Sequence, residues 1–347
     1  MTIAPLQYHA EIVHYAGEDG IITSHGRHVR IDYRGDTYQV PLPMPAALRL
    51  ALLFRATRRL TRTEKCNVIP IRKRGGWEAV AIIHQGKVYR YELSTQSLTH
   101  THTLRQSRNP LHQSVCICGD GSILFGEYGQ NPERRSVPVY RSTDGAESWK
   151  TIHEFEAGDI RHVHGCYWDP YEETVWTCTG DLKDECRILV TDPAFEEIEL
   201  LGDGSQQWRT CRLFFTEEAV YWGTDSEYSV NHVCKLDRRT RTMEKVFQLP
   251  GPVIYTKHLA DGWMVLSTVV EKGPGVQDSH AHLFASPDGT DWREIYSAEK
   301  DAWPMPLFKN GVIAFSDGEQ TMEEFYIHAE GLKGIDGQSY RCSAEKW

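Results

Sequence analysis

One period runs through this chain and constrains its fold more than any other feature. From His112, the run HQSVCIC is followed by a GDG turn, SILFGEYG, a polar loop, VPVYRS, the turn TDGAES and WKTIHEF. That is four short strand-like runs joined by turn residues. The same grammar restarts near His162, Arg209 and Tyr255, with further copies from Asn67 and Pro306, at steps of 45, 50, 47, 46 and 51 residues. The third turn of each copy falls near Ser94, Asp144, Asp192, Asp237, Asp288 and Asp336, with similar steps. Two markers sharing one period, with four strands per repeat, predict an all-β chain built as a single β-propeller.

Residues 10–42 (EIVHYA, GIITSHG, HVRIDYRG and DTYQVPLP) read as four more, shorter strands. Counting them gives seven blades; if they only decorate the rim there are six. The expected organisation is one propeller domain over 1–347. It comprises a short N-terminal blade over 10–42, a helical insertion over 43–62 and six clear blades over 63–347. The insertion, PMPAALRLALLFRATRRLTR, breaks the strand grammar and reads as one amphipathic helix. At 100° per residue, Leu50, Leu53, Phe54 and Leu60 gather on one side and Arg55, Arg58, Arg59 and Arg62 on the other. Either the apolar side packs on the propeller and the arginines are solvated, or the helix lies on an anionic membrane surface.

The net charge of −10 makes a nucleic-acid backbone an unsuitable partner. No run reaches the 18 or so apolar residues that span a bilayer, and the first residues lack the basic-then-apolar pattern of a secretory signal. A cytoplasmic location is therefore expected, peripheral at the inner membrane if the 43–62 segment docks there. The nine cysteines are odd in number and several fall inside apolar runs. They are expected to be reduced, buried, small hydrophobes.

Two of the turns carry a motif. Ser142-Thr-Asp144-Gly145-Ala-Glu-Ser-Trp149 resembles the Asp-box of sialidase-like propellers, S-x-D-x-G-x-x-W, with its Gly one place early. Ser286-Pro-Asp288-Gly289-Thr-Asp-Trp292 resembles it one residue shorter. Ser142, Asp144, Trp149, Ser286, Asp288 and Trp292 are expected to be structural: the Asp accepts turn N–H groups, the Gly takes φ > 0 and the Trp packs between blades. Propellers with this box include sialidases, other glycoside hydrolases, polysaccharide lyases and non-enzymatic binding proteins.

In a blade, the start of strand one and the end of strand two open on one face, opposite the strand three–four turn. Those positions are polar here. Candidate catalytic residues are His112, His162, His164 and Tyr255. Candidate substrate-binding residues are Arg209, Lys257, Arg161, Arg134, Glu127 and Asp181. Alternate strand residues share a face, so His162 and His164 can point together as a general base. With His112, and with Glu127 or Asp181, they can instead hold a divalent metal. A hydrogen-bonded polar plug is the third option. Arg209 can clamp a carboxylate or pair with Asp181 or Glu227. The full sialidase set of three arginines, a Tyr–Glu pair and an acidic Asp is not identifiable. The His-rich mouth resembles propeller polysaccharide lyases, which implies β-elimination on an acidic, uronate-containing glycan. The alternatives are a sialidase-like glycoside hydrolase, or a non-catalytic propeller that binds glycans through Tyr128, Tyr167, Trp168 and Trp208 or acts as a scaffold.

Overall fold

The computed structural model describes residues 1–6 and 12–347. Their strands form seven four-stranded sheets, the blades of a seven-bladed β-propeller. The seven-blade expectation holds, and the short blade of 12–41 is one of the seven; residues 10 and 11 lie outside the described residues. The chain divides into two compact units, residues 66–246 and residues 1–65 with 247–347.

The first unit carries blades 2 to 5, at 66–103, 116–155, 162–204 and 214–249, the last strand running on past residue 246. Their second strands (GWEAVAIIH, ILFG, TVWTCTG and AVYWG) are apolar almost throughout and buried, as expected of strands covered on both faces. Fourth strands such as KTIHEF and IELLGDG mix charge with apolar residues and are largely exposed; charged edges resist pairing with other chains.

The Asp turns behave as their chemistry requires. Asp144 accepts from the backbone of Glu147 and Ser148 and from both Ser142 and Ser148 hydroxyls. Gly145 there has φ +72°, a conformation that favours glycine. Trp149 packs on Phe125, with ring centroids 5.1 Å apart, and bonds Thr101 of the preceding blade. Asp192 and Asp237 cap their own turns in the same way. Strand register puts Ser142 beside Ile123 and Gly126 beside Val139, so Asp144 lies at the end of its blade away from Glu127.

Glu127 fixes how blade 3 meets its neighbours. Its buried carboxylate accepts the backbone N–H groups of Arg105, Gln106 and Ser107 and the Tyr140 hydroxyl, at 2.5–2.9 Å. Its own carbonyl accepts Val163 N at 2.9 Å. Beside it, a Cβ on Gly126 would sit 2.5 Å from Val163, so glycine is what lets blade 4 approach.

The second unit carries the other three blades. One spans 12–41 and one spans 253–299, the latter with its own Asp turn at Asp288, where Trp292 is buried. The last blade pairs Val312–Phe315, Phe325–Glu330 and Gln338–Ser343 with Thr2–Pro5, in register Thr2↔Ser343 to Pro5↔Tyr340. This pairing of chain start with chain end was not read from the repeat, because Thr2–Pro5 lies outside the period.

Three expectations are corrected. Inner strands begin later than the repeat suggested in three blades, at Cys116, Phe214 and Val312 rather than His112, Arg209 and Pro306. Gln113, with φ +63°, interrupts extension after His112, and Pro306 sits in a short helix, Met305–Phe308. The 43–62 segment is two short helices, α1 (Ala46–Leu50) and α2 (Arg55–Thr61), split by an extended Phe54. Its polarity is also reversed, with Leu50, Leu53, Phe54 and Leu60 exposed and Arg59 buried. The nine cysteines are all buried, as expected.

Glu127→Ala strands three backbone donors and a hydroxyl, so we expect a loss of about 2–4 kcal/mol in urea unfolding. Asp144→Ala, on an exposed turn, should cost only about 1 kcal/mol. Equal losses would contradict this ranking.

Candidate functional site

The cluster forms at the start of blade 4's inner strand, His162–Asp169, and the end of its second strand, Thr174–Gly180, with the loop entering blade 5. Pairing of His162 with Gly180 places His162, His164 and Asp181 together, and Arg209 reaches in from the entering loop. All four are buried. The register between Val163 and Gly165 shifts at a bulge, which re-aims the side chains between them.

Asp181 is the hub. Arg161 Nη1 donates to its Oδ2 at 2.7 Å. Around Oδ1 stand Arg209 Nη2 at 3.2 Å, His164 Nε2 at 3.2 Å and His162 Nε2 at 3.5 Å. Burial opposes the charge on Asp181, but hydrogen bonding and charge from His162 and His164 outweigh it and hold the carboxyl far below its usual range. The two guanidinium groups act in the same direction.

The tautomers follow from the other ring nitrogens. His162 Nδ1 lies 2.7 Å from the Gly129 carbonyl oxygen, and His164 Nδ1 lies 2.9 Å from that of Thr210. A carbonyl only accepts, so both Nδ1 atoms carry hydrogen and, in the neutral rings, both Nε2 atoms are lone pairs. Burial pushes the His162 pKa down, against the pull of Asp181. His162 Nε2 is buried and has no hydrogen-bond partner. The two Nε2 atoms and Asp181 Oδ1 thus converge on one point, with Arg209 Nη2 3.2 Å from the same oxygen; a proton on Nε2 would turn each imidazole into a donor to Asp181.

These atoms fit a metal. His162, His164 and Asp181 each offer one ligand atom, mutually within 4.8 Å. Ligands about 2.0–2.2 Å from a tetrahedral ion stand roughly 3.3–3.6 Å apart, close to the 3.2 and 3.5 Å separations here. Backbone carbonyls anchoring Nδ1–H are the usual support for metal-bound imidazoles. A second set, His164, Cys211 and Asp225, also converges. Burial, however, pushes the Cys211 thiol well above its usual range, and Cys211 donates to Asp225 at 3.3 Å. Burial also raises Asp225, against the attraction of Arg209. The two aspartates flanking Arg209 are therefore driven in opposite directions.

The remaining candidates have other partners. Arg209 is shared among Asp181, Asp225 and Glu227 (2.5 Å to the last), the ion-pair alternative rather than a free clamp. Arg161 also bonds Gln130. Arg134 pairs with Glu185 at 2.8 Å. Glu127 is taken up by the backbone of 105–107. His112 sits in the turn closed by the hydrogen bond from Ser114 N to Leu111 O and joins neither of the ligand sets found among the described residues. Tyr255 and Lys257 belong to the second unit. Tyr255 is a core residue there, and the Lys257 ammonium donates to the carbonyls of Ser316 and Gly318. Cys211 was not read as a site residue; among nine cysteines in apolar runs, only its proximity to Asp225 sets it apart. Tyr128, read as a stacking face, lies against His162 with ring centroids 4.3 Å apart.

No protein-family model matches the chain, and no curated protein matches it. Solved structures do, at the level of fold. A chain of a mitotic checkpoint complex aligns over 96% of this chain and 87% of its own, at 9% identity and TM-score 0.56. YCF48, solved bound to a D1 peptide, aligns over 99% of this chain and all of its own, at 11% identity and TM-score 0.54. The extracellular domain of the putative one-component system BT4673 of B. thetaiotaomicron aligns over all of this chain and 40% of its own, at 10% identity and TM-score 0.59. At these identities the likeness is one of propeller architecture, and function rests on the site.

Asp181→Asn keeps the shape but removes the charge that two guanidinium groups and two imidazoles face. We expect a loss of about 3 kcal/mol at pH 7. Because the native carboxyl is held low, its stabilisation is complete above the unfolded value of about 4 and fades as pH falls below it. The gap between wild type and variant should therefore narrow in urea melts from pH 5 to pH 3. A gap that stays constant would show that the ionised carboxylate is not what these donors hold.

Proposed function

We propose that this chain is a carbohydrate-active propeller of the Asp-box kind. In this reading His162, His164 and Asp181 are its working centre, acting on an acidic, uronate-containing glycan by β-elimination. The observation that carries the reading is the buried, unpartnered Nε2 lone pair of His162 beside an ionised Asp181. The likeness of the His-rich mouth to propeller polysaccharide lyases supports the substrate class, while the Asp-box resemblance of 142–149 and 286–292 bears on the fold.

His162 is built as a base. Its Nδ1–H is fixed on Gly129, burial keeps the ring neutral, and Asp181 stabilises the imidazolium formed when Nε2 takes a proton. In elimination that proton comes from C5, beside the uronate carboxylate. The C5–H electron pair becomes the C4=C5 double bond, the C4–O bond breaks, and the leaving oxygen takes a proton from solvent. In the alternative arrangement His162, His164 and Asp181 would hold a divalent cation, which would supply Lewis-acid stabilisation of the uronate carboxylate; His162 Nε2 would then be a ligand and the proton would pass to another base. A second reading, a buried polar plug, is favoured by the sharing of Arg209 among three carboxylates.

The test is a panel of uronate-containing oligosaccharides, assayed with and without added Mn²⁺, Zn²⁺ or Ca²⁺. We expect an ultraviolet-absorbing unsaturated product, falling by at least about 100-fold in His162→Ala and His164→Ala with melting temperatures close to wild type. New reducing ends without that absorbance would identify a hydrolase instead. No product from any substrate, together with a large loss of melting temperature in both variants, would establish the plug.

A further inference from the structure

The reversed polarity of α1 and α2 needs an explanation. The arginines of this segment are its anchors. Arg55 bonds Asp336 through two nitrogens, at 3.0 Å each, and pairs with Glu64 at 2.5 Å. Arg58 pairs with Glu64 at 3.3 Å. Arg59, only 4% exposed, reaches Asp301 at 2.5 Å and the Phe308 carbonyl at 2.8 Å, with its guanidinium 5.8 Å from the centre of the Trp303 ring. With the basic side fastened inward, the apolar side faces solvent. Leu50 and Leu53 are each 69% exposed and Phe54 is 66% exposed. Leu60 is also exposed, and so are Trp303 and, on the short helix α3 (Met305–Phe308), which packs against α2, Leu307. This is a concentration of large apolar side chains, not the scattered single residues ordinary surfaces show.

The charge around it is one-sided. Between Asp36 and Glu64 the sequence has no acidic residue. Arg49 and Arg62 are exposed within the segment, and the His25–His28 turn with Arg27 lies alongside, Gly26 being next to Leu52. Leucines, a phenylalanine and an interfacial tryptophan, rimmed by arginine with no carboxylate in the segment, match the boundary of an anionic bilayer. Apolar side chains enter the acyl region there and cations meet the headgroups. No helix among the described residues is long and apolar enough to cross a membrane, so contact through this segment would be at the surface.

We infer that the α1–α2 segment, with Trp303 and Leu307, docks the protein on anionic lipid surfaces. The inference is independent of the chemistry at His162. It also excludes charge removal at Arg55, Arg58 and Arg59 as a test, because those residues hold the fold.

The experiment is co-sedimentation of the full chain with phosphatidylcholine vesicles and with vesicles of phosphatidylcholine and phosphatidylserine, at low and high salt. Wild type should pellet with the anionic vesicles at low salt and remain in the supernatant with neutral ones. Leu53→Gln/Phe54→Gln should weaken binding at least tenfold. Arg49→Gln/Arg62→Gln, an independent check, should weaken it severalfold and flatten its salt dependence. All four positions are exposed, so both variants should melt with wild type. Wild type that stays in solution with every vesicle would overturn the inference. So would binding that survives the Leu53/Phe54 change, or light scattering showing that the patch is covered by a second copy of the chain.

Discussion

The buried carboxylate of Glu127 does more to organise residues 66–246 than any other single group. A charged side chain at that depth is tolerable only when its lone pairs are filled, and here three consecutive backbone N–H groups and a tyrosine hydroxyl fill them. The loop entering blade 3 is thereby tied to the end of that blade's second strand. The Glu127 carbonyl then receives Val163, one residue from His162 and one from His164. The geometry of the candidate centre is inherited from this joint, through a glycine that permits the approach.

Pairing of charge shapes the chemistry of the centre. Arg161 and Arg209 are taken up by three carboxyl groups, Asp181, Asp225 and Glu227, so the cluster does not act as an open positive clamp. In the proposed reading the point where the two imidazole Nε2 atoms face Asp181 takes up a proton in acid–base work, or would hold a divalent ion in metal chemistry. Both use the same anchoring of Nδ1 by backbone carbonyls, which sets the tautomers before any ligand arrives.

The arginine-rich segment 43–62 shows how local pattern and tertiary demand diverge. An amphipathic stripe specifies two sides but not which one faces inward. Burying leucine is the usual outcome because it is favourable wherever apolar surface is available. Here Glu64, Asp301 and Asp336 are the groups in need of partners, and three arginines answer them at close range. Phe54, extended between the two helices, breaks the single stripe that a continuous helix would have presented.

Leaving the blade count at six or seven, the sequence by itself determined the fold class, the repeating blade and the turns. Those rest on short-range physics: strand alternation, Gly at positive φ, and Asp side chains closing their own turns, as at Asp144 and Asp288. It also placed His162, His164 and Asp181 at one end of a blade, because the strand period and the repeat register fix that; Arg209, expected at a strand start, instead reaches in from the loop entering the next blade. It did not determine that Glu127 and Arg134 are occupied by the backbone and by Glu185, or that Arg209 is divided among three carboxylates. Nor did it show that Thr2–Pro5 completes the last blade, or that Arg55, Arg58 and Arg59 turn inward. Each of these depends on partners distant in sequence. Which of several competing charges and donors a side chain meets is decided only once the chain has folded and brought them within reach.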